Sequence, residues 1–253
     1  MSPRAIAEVR AYIPRAFPSL ACASARAIAE ELFDDVQAVR TLDAHDVDVV
    51  ARKQLGHSCA QAIGAGTRCA HGHAQAYLYA PLREEITRQA NGERQRTVKA
   101  EHATCWLACP RLERAVRELE RDGGIHTLAT EIENGEIERG LDRAHEEAPR
   151  LRNFLIGVDA AAKAKTETRT DLIVNRSGLI GVSLDTLSET KVWKKVKCLH
   201  AQVADALVRG RSKNPVGALV LERLEESGMV ISGTPTCHEN CGAPRAIPTV
   251  TAT

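Results

Sequence analysis

The stretch KVWKKVKCLHAQVADALVRG, residues 191–210, constrains the fold more than any other part of the chain. Val192, Val196, Leu199, Val203 and Leu207 recur at three- and four-residue spacing, so a helix over 189–209 carries one apolar face that the rest of the chain must cover. The same stretch sets a thiol and an imidazole two residues apart, Cys198 and His200, behind Lys191, Lys194, Lys195 and Lys197. At about 3.6 residues per turn, an unbroken helix turns Cys198 away from the apolar face and holds His200 at its edge. Either the helix starts only near Lys197, freeing Cys198 in its first turn, or just one of the pair belongs to a site.

A chain of 253 residues can bury a real core without disulfide staples. Aromatics are only 3% while Ala, Leu and Val abound, a bias toward packed helices over aromatic-rich sandwiches. The expected fold is α+β, predominantly helical, with a short β-hairpin or small sheet. A core domain spans 43–228, between an N-terminal extension with one helix (1–42) and a loose C-terminal tail (229–253). The net charge of +1 gives no global field to hold a polyanion. No apolar run approaches the roughly 20 residues that span a bilayer. Eight cysteines with no signal-peptide pattern point to the reducing cytoplasm, where clustered Cys and His mean metal or reactivity. Arg4, Arg10, Arg15 and Arg26 against Glu8 leave a mitochondrial presequence as the alternative.

Along the chain, Ser24 caps a helix bearing Ile28, Leu32, Val36 and Val39, and Asp43 caps a second one stopped by Gly56. Gly64-Ala65-Gly66 reads as a turn that delivers Arg68 and Cys69. Residues 74–81 and 103–108 form a hairpin whose long polar tip turns at Asn91-Gly92. Pro110 opens a helix over 110–122, which leaves Cys109 at the N-cap, where free amides and the helix dipole favour a thiolate. Helical pattern continues through 125–156. Residues 159–170 look like a flexible insertion, and 172–184 like strand or loop. Asn214 and Pro215 begin a helix reaching about 227.

With those residues placed, the chain resembles the domain-of-unknown-function 501 family. The resemblance rests on six motifs in series over roughly 46–225: RKQLG (52–56); Arg68-Cys69 followed by Gly72; Trp106-Leu107-Ala108-Cys109-Pro110; Arg143-Ala144-His145-Glu146; Val196-Lys197-Cys198-Leu199-His200; and Asn214-Pro215-Val216-Gly217. It implies that Cys69, Cys109, Cys198, His200, His145 and Asn214 belong to the motif set, while Cys22, Cys59, Cys237 and Cys241 lie outside it. It implies no particular reaction. The long polar stretch between Pro81 and Thr104 departs from the family pattern.

Three thiolates and an imidazole are soft to borderline ligands, so convergence of Cys69, Cys109, Cys198 and His200 makes a Zn2+ site, with an iron–sulfur cluster as the alternative. Against this, no motif cysteine comes as a CxxC pair, and free cysteine also packs as a small apolar side chain. A third reading makes Cys198 a nucleophilic thiol with His145 or His200 as base. Lys197, Arg211, Lys213 and the helix start at Asn214 form an anion site for a small anionic or phosphorylated ligand. The competing function is a non-catalytic zinc module whose basic helix 191–213 docks on RNA or a protein partner.

Overall fold

The structure is a computed structural model that describes residues 18, 20–56, 59, 61–88, 92–157 and 168–241. The arginines expected of a presequence, except Arg26, and most of the 159–170 insertion lie outside the described residues. Among the described residues the helices are α1 (Ala23–Leu32), α2 (Ala44–Asp48), which runs into a π-helix over Val49–Leu55, α3 (Pro110–Arg121), α4 (Gly124–Ile132) and α5 (Glu136–Ile156). They continue as α6 (Thr168–Arg176), α7 (Val192–Val196), α8 (Leu199–Arg209) and α9 (Pro215–Glu226). The strands are β1 (Arg40–Thr41), β2 (Ala62–Ala65), β3 (Ala76–Tyr79), β4 (Leu82–Arg88), β5 (Arg94–Ala100) and β6 (Cys105–Leu107). The protein is α+β and mostly helical.

Helix α8 is the element around which the core assembles. Leu199, Val203, Ala204, Ala206 and Leu207 are buried on it, and β6, β3, α3 and α9 pack against it. Two glycines permit the closest approaches. A Cβ at Gly217 of α9 would stand 2.1 Å from Gln202 O, and one at Gly66 would stand 2.9 Å from Leu207 O. The four-stranded antiparallel sheet runs β1-β2-β3-β6. Its β3–β6 pairing sets Leu78 against Cys105 and Ala76 against Leu107, so the expected hairpin exists. Its long tip is itself a two-stranded ribbon, β4 with β5; Asn91 of the expected turn lies outside the described residues.

The structure corrects four local expectations. Residues 62–65 are strand β2, not a turn, because Gly64 and Ala65 pair with both β1 and β3. Helix α1 has Cys22 rather than Ser24 at its N-cap position, with no side-chain cap bond, and ends at Leu32, although Val36 and Val39 still reach the core. Residues 172–176 are helical. Buried Arg152 of α5 donates to the carbonyls of Val174 and Ser177, so the end of α6 is satisfied from outside. Finally, 229–241 is docked rather than loose: Gln75 Nε2 donates to Ile231 O at 2.6 Å and Ala70 N to Ser232 O at 2.7 Å.

The expected long helix is broken where its chemistry lies. Lys197 has φ 49° and ψ −49°, and Cys198 N donates to Val196 O at 2.6 Å, a tight γ-type turn. Positive φ is costly for a side chain of this kind, about 1–3 kcal/mol, and persists only where its surroundings enforce it. The break ends α7 and makes Cys198 the N-cap residue of α8.

Candidate functional site

At that break, one carboxylate completes a cluster. Glu120, in the last turn of α3, receives the Leu199 N–H on Oε1 at 2.6 Å and faces His200 Nδ1 with Oε2 at 3.1 Å. His200 Nε2 lies 3.2 Å from the Glu113 carbonyl, which can only accept, so Nε2 carries a proton. One ligand atom each from Glu120, Cys198 and His200 lie within 4.8 Å of one another, and no other trio of Cys, His, Asp or Glu among the described residues does so. All three are part-buried; the His200 and Glu120 side chains are 24% and 23% exposed.

The cluster is electrostatically tuned. Its hydrogen bond with Cys198, and then that with Glu120, push the His200 imidazole up to about 10 against the opposing effect of burial. Burial works to raise the Glu120 carboxyl, but the hydrogen bond and charge of His200 and the N–H groups at the start of α8 outweigh it and leave the group lowered. A ring fixed by a backbone carbonyl on one nitrogen, and a carboxylate fixed by a backbone amide on one oxygen, is the outer-shell arrangement that orients metal ligands.

A second sulfur-rich place lies elsewhere. Cys69 sits in the β2–β3 loop, where Arg68 makes a two-pronged bond to Asp46 at 2.9 and 2.8 Å and also donates to Gly72 O. Cys109 occupies the N-cap position of α3 without a side-chain cap bond, and its N–H donates to Gln75 O at 3.0 Å. Cys69, Cys109, Cys237 and Cys241 line one small cavity with Gln54 and Gln75. Burial raises the Cys109 thiol, although the Leu112 and Arg111 amides work the other way without closing a cap hydrogen bond. Burial also raises Cys241.

The sequence expectation of one site is therefore divided. Cys69 and Cys109 meet, but Cys198 and His200 do not join them. Cys109 is at the start of α3 and Glu120 in its last turn, eleven residues on, or about 16 Å along the axis. His145, expected as a catalytic base, is fully buried; Nδ1 accepts from Leu179 N at 3.0 Å and Nε2 faces Lys195 O at 3.1 Å. Both nitrogens serve the backbone, so its role is structural.

The expected anion site also comes apart. Asn214 is fully buried, accepts from Gly217 N at 2.9 Å, and donates to Gln202 Oε1 and Asp205 Oδ2. Arg211 is paired with Glu225 at 2.9 Å and Lys197 Nζ bonds Ile180 O at 2.8 Å, while Lys213 accepts from buried Arg209 through its backbone carbonyl, which leaves its ammonium out of that contact. Within 191–213, Lys195 pairs internally with Glu138 and Asp142, and Arg209 with Asp205 and Glu147, which leaves Lys191, Lys194, Lys197 and Arg211 as the exposed basic residues.

Sequence reasoning missed Glu120 as a candidate ligand. Glu120 is one of several acids on α3, with nothing local to single it out. Cys237 and Cys241, with His238 between them, can hold zinc only with a further ligand from elsewhere in the chain, and the structure places Cys69 and Cys109 on the same cavity.

Fold and sites together define a helix-rich α+β protein with two cysteine-bearing clusters flanking one helix. The family model described as "Protein of unknown function (DUF501)" matches residues 65–222, and the chain belongs to that family. The matched span contains Cys69, Cys109, Glu120, His145, Cys198 and His200; Cys237 and Cys241 lie beyond it. No curated protein and no solved structure matches the chain. Among the described residues, no helix is long and apolar enough to cross a membrane.

Proposed function

We propose that the protein binds a zinc-class divalent ion at Glu120, Cys198 and His200 and acts as a metal-dependent enzyme on a small polar substrate. The observation that carries this reading is the one trio of ligand atoms within 4.8 Å among the described residues, with Glu113 O and Leu199 N fixing the far sides of the imidazole and the carboxylate. Zinc bonds of about 2.0–2.3 Å require ligand atoms roughly 3.6 Å apart, so only a small closure is needed. Three protein donors leave a fourth position, and partial exposure lets solvent reach it. That is the arrangement of catalytic rather than structural zinc. An ion so held supplies Lewis acidity and an activated water.

The protein residues have separable tasks. Glu113 O holds His200 with Nδ1 toward the ion position, and Leu199 N–H holds Glu120. The strained Lys197 turn aims Cys198 back from the start of α8. Lys197 itself is exposed and bonds a carbonyl rather than an acid, so an anionic substrate would meet its charge.

The test is metal titration of the full chain against Cys198→Ser and His200→Asn. Each variant should lose one tightly bound ion while keeping the circular dichroism spectrum of the wild type. Unchanged metal content in both would refute the reading. Wild-type protein that binds nothing at this cluster, yet alkylates fast at Cys198, would favour the thiol–imidazole reading instead.

A further inference from the structure

The cavity between the β2–β3 loop, the start of α3 and the segment 229–241 belongs to none of that chemistry. Half of the chain's eight cysteines line it, drawn from three separate segments: Cys69, Cys109, and Cys237 with Cys241. Cys69, Cys109 and Cys241 are 7%, 9% and 7% exposed. The cavity volume is about 10 Å³, which is the room one water or one ion takes and too little for an organic substrate.

Its surroundings are those of a ligand set rather than of an apolar plug. Gln54 Nε2 donates to Cys241 Sγ at 3.6 Å, an amide-to-sulfur bond of the kind that supports metal thiolates. Gln54 Oε1 and Gln75 Oε1 are buried with no hydrogen-bond partner, although both residues line the cavity and Gln75 is only 1% exposed. Unpartnered buried acceptors are rare in packed interiors, so each calls for an explanation; a water beside the sulfurs is one, and neither oxygen is a ligand in a set of four thiolates. The backbone also makes room: Gly233 has φ +107°, and a Cβ there would come within 2.9 Å of Cys237 Sγ and 3.8 Å of Cys69 Cβ.

The segment that brings Cys237 and Cys241 is tied down before it reaches the cavity. Arg111 Nη1 donates to Val230 O at 3.3 Å, His71 Nε2 contacts Thr234 O at 2.7 Å, and the His71 and His238 rings stand 4.8 Å apart. With Ile231 and Cys241 buried and Met229 against the core, the rest of its hold is polar, through these contacts and the Gln75 and Ala70 bonds to Ile231 O and Ser232 O.

We propose that Cys69, Cys109, Cys237 and Cys241 form a closed four-thiolate zinc site that fastens residues 229–241 to the core. No three of the four sulfurs lie within 4.8 Å of one another, so ion entry has to draw them in to the roughly 3.8 Å spacing of a tetrahedral thiolate set. On binding, four thiols give up four protons to solvent and Zn2+ takes the four sulfurs, with no change of oxidation state. With no open position, the ion is structural and distinct from the one at Glu120.

The experiment compares the full chain with Cys237→Ser/Cys241→Ser, loaded first with Zn2+ and then with Co2+. Neither altered residue belongs to the main hydrophobic core, so the core keeps its own packing. The wild type should hold two zinc ions and the variant one. The sulfur-to-cobalt charge-transfer band should fall from a many-thiolate intensity to that of a single thiolate, and deuterium uptake should rise at the Ala70 and Gly233 amides. A Cys198→Ser control removes the other ion and leaves the four-thiolate band intact, so failure here and failure at Glu120 are told apart. Equal zinc content in wild type and the tail variant overturns the proposal, as does bound iron with a brown colour or a Cys237–Cys241 disulfide in anaerobically purified protein.

Discussion

Replacing His145 by Gln tests the conclusion that this histidine is structural, and the structure sets the size of the effect. The ring is enclosed, with Nδ1 receiving the Leu179 amide and Nε2 donating to Lys195 O, so it folds as a neutral imidazole. Burial, the largest cause, pushes its pKa down from 6.5 to about 4; the Lys195 charge adds to this, while the bond to the Lys195 carbonyl and the Asp205 charge oppose it. As pH falls below 6.5 the unfolded chain takes up a proton that the folded chain refuses until about 4. The unfolded state then binds more protons, so stability present above 6.5 is lost on the way down to 4. The full loss is about 3 kcal/mol, and by about pH 5 it is already about 2 kcal/mol. Glutamine can keep one donor and one acceptor but cannot titrate. Urea unfolding of both proteins across this range should show the wild type losing about 2 kcal/mol more than the variant between about pH 7.5 and 5, since the other titrations cancel in the difference. Parallel pH profiles would refute the argument. A variant that loses zinc at Glu120 would return His145 to the functional residues.

Three further outcomes follow from the same geometry. Asn214→Ala removes a helix cap and strips buried Gln202 Oε1 and Asp205 Oδ2 of a donor; it should cost about 3 kcal/mol in urea unfolding, and a loss under about 1 kcal/mol would contradict the placement. Lys197→Gly relaxes the φ 49° residue and should raise stability by about 1 kcal/mol, read as a higher thermal midpoint, whereas a lower one would mean that the turn is unstrained. Glu120→Gln keeps an acceptor for Leu199 N–H but not the charge; zinc affinity at that cluster should drop on the order of 100-fold by calorimetric titration, and an unchanged value would remove Glu120 from the ligand set.

What could be read from the sequence was what local chemistry decides. Pro110 behind Cys109, Pro215 behind Asn214 and Asp43 before its helix all start helices as expected, because N1 proline and an oxygen-bearing cap act within one turn. The break at Lys197 is one of the two resolutions that the conflict between Cys198 and the apolar face left open. Legibility stopped where distant groups decide. Residues 172–176 look like broken strand, yet Arg152 satisfies their carbonyls from another helix. Asn214 looked like an anion-binding helix start, but Asp205 and Gln202 bury it. The segment 229–241 is held largely through backbone carbonyls at Val230, Ile231, Ser232 and Thr234, which leave no mark on side-chain pattern. The partition of the motif cysteines was likewise beyond reach, since motif order along a chain carries no distance between motifs.

Helix α3 links the two clusters, and its packing determines whether they communicate. Its N-terminus favours negative charge, which suits thiolates around Cys109, and its C-terminal end favours a cation, which suits an ion or a charged imidazole beside Glu120. A rigid rod with a ligand at each end could transmit a shift at one site to the other. Between the ends, however, Leu112 and Val116 are completely buried in the main core, so the core rather than either ion fixes where α3 lies. Perturbations separated by about 16 Å with no shared partners should then add to within about 0.5 kcal/mol. In Cys237→Ser/Cys241→Ser the zinc affinity at Glu120, Cys198 and His200 should therefore stay within about twofold of the wild type by competitive chelator titration. A tenfold or greater loss would show that α3 is positioned by the four-thiolate ion instead, and that the segment beyond residue 228 controls the open site from a distance.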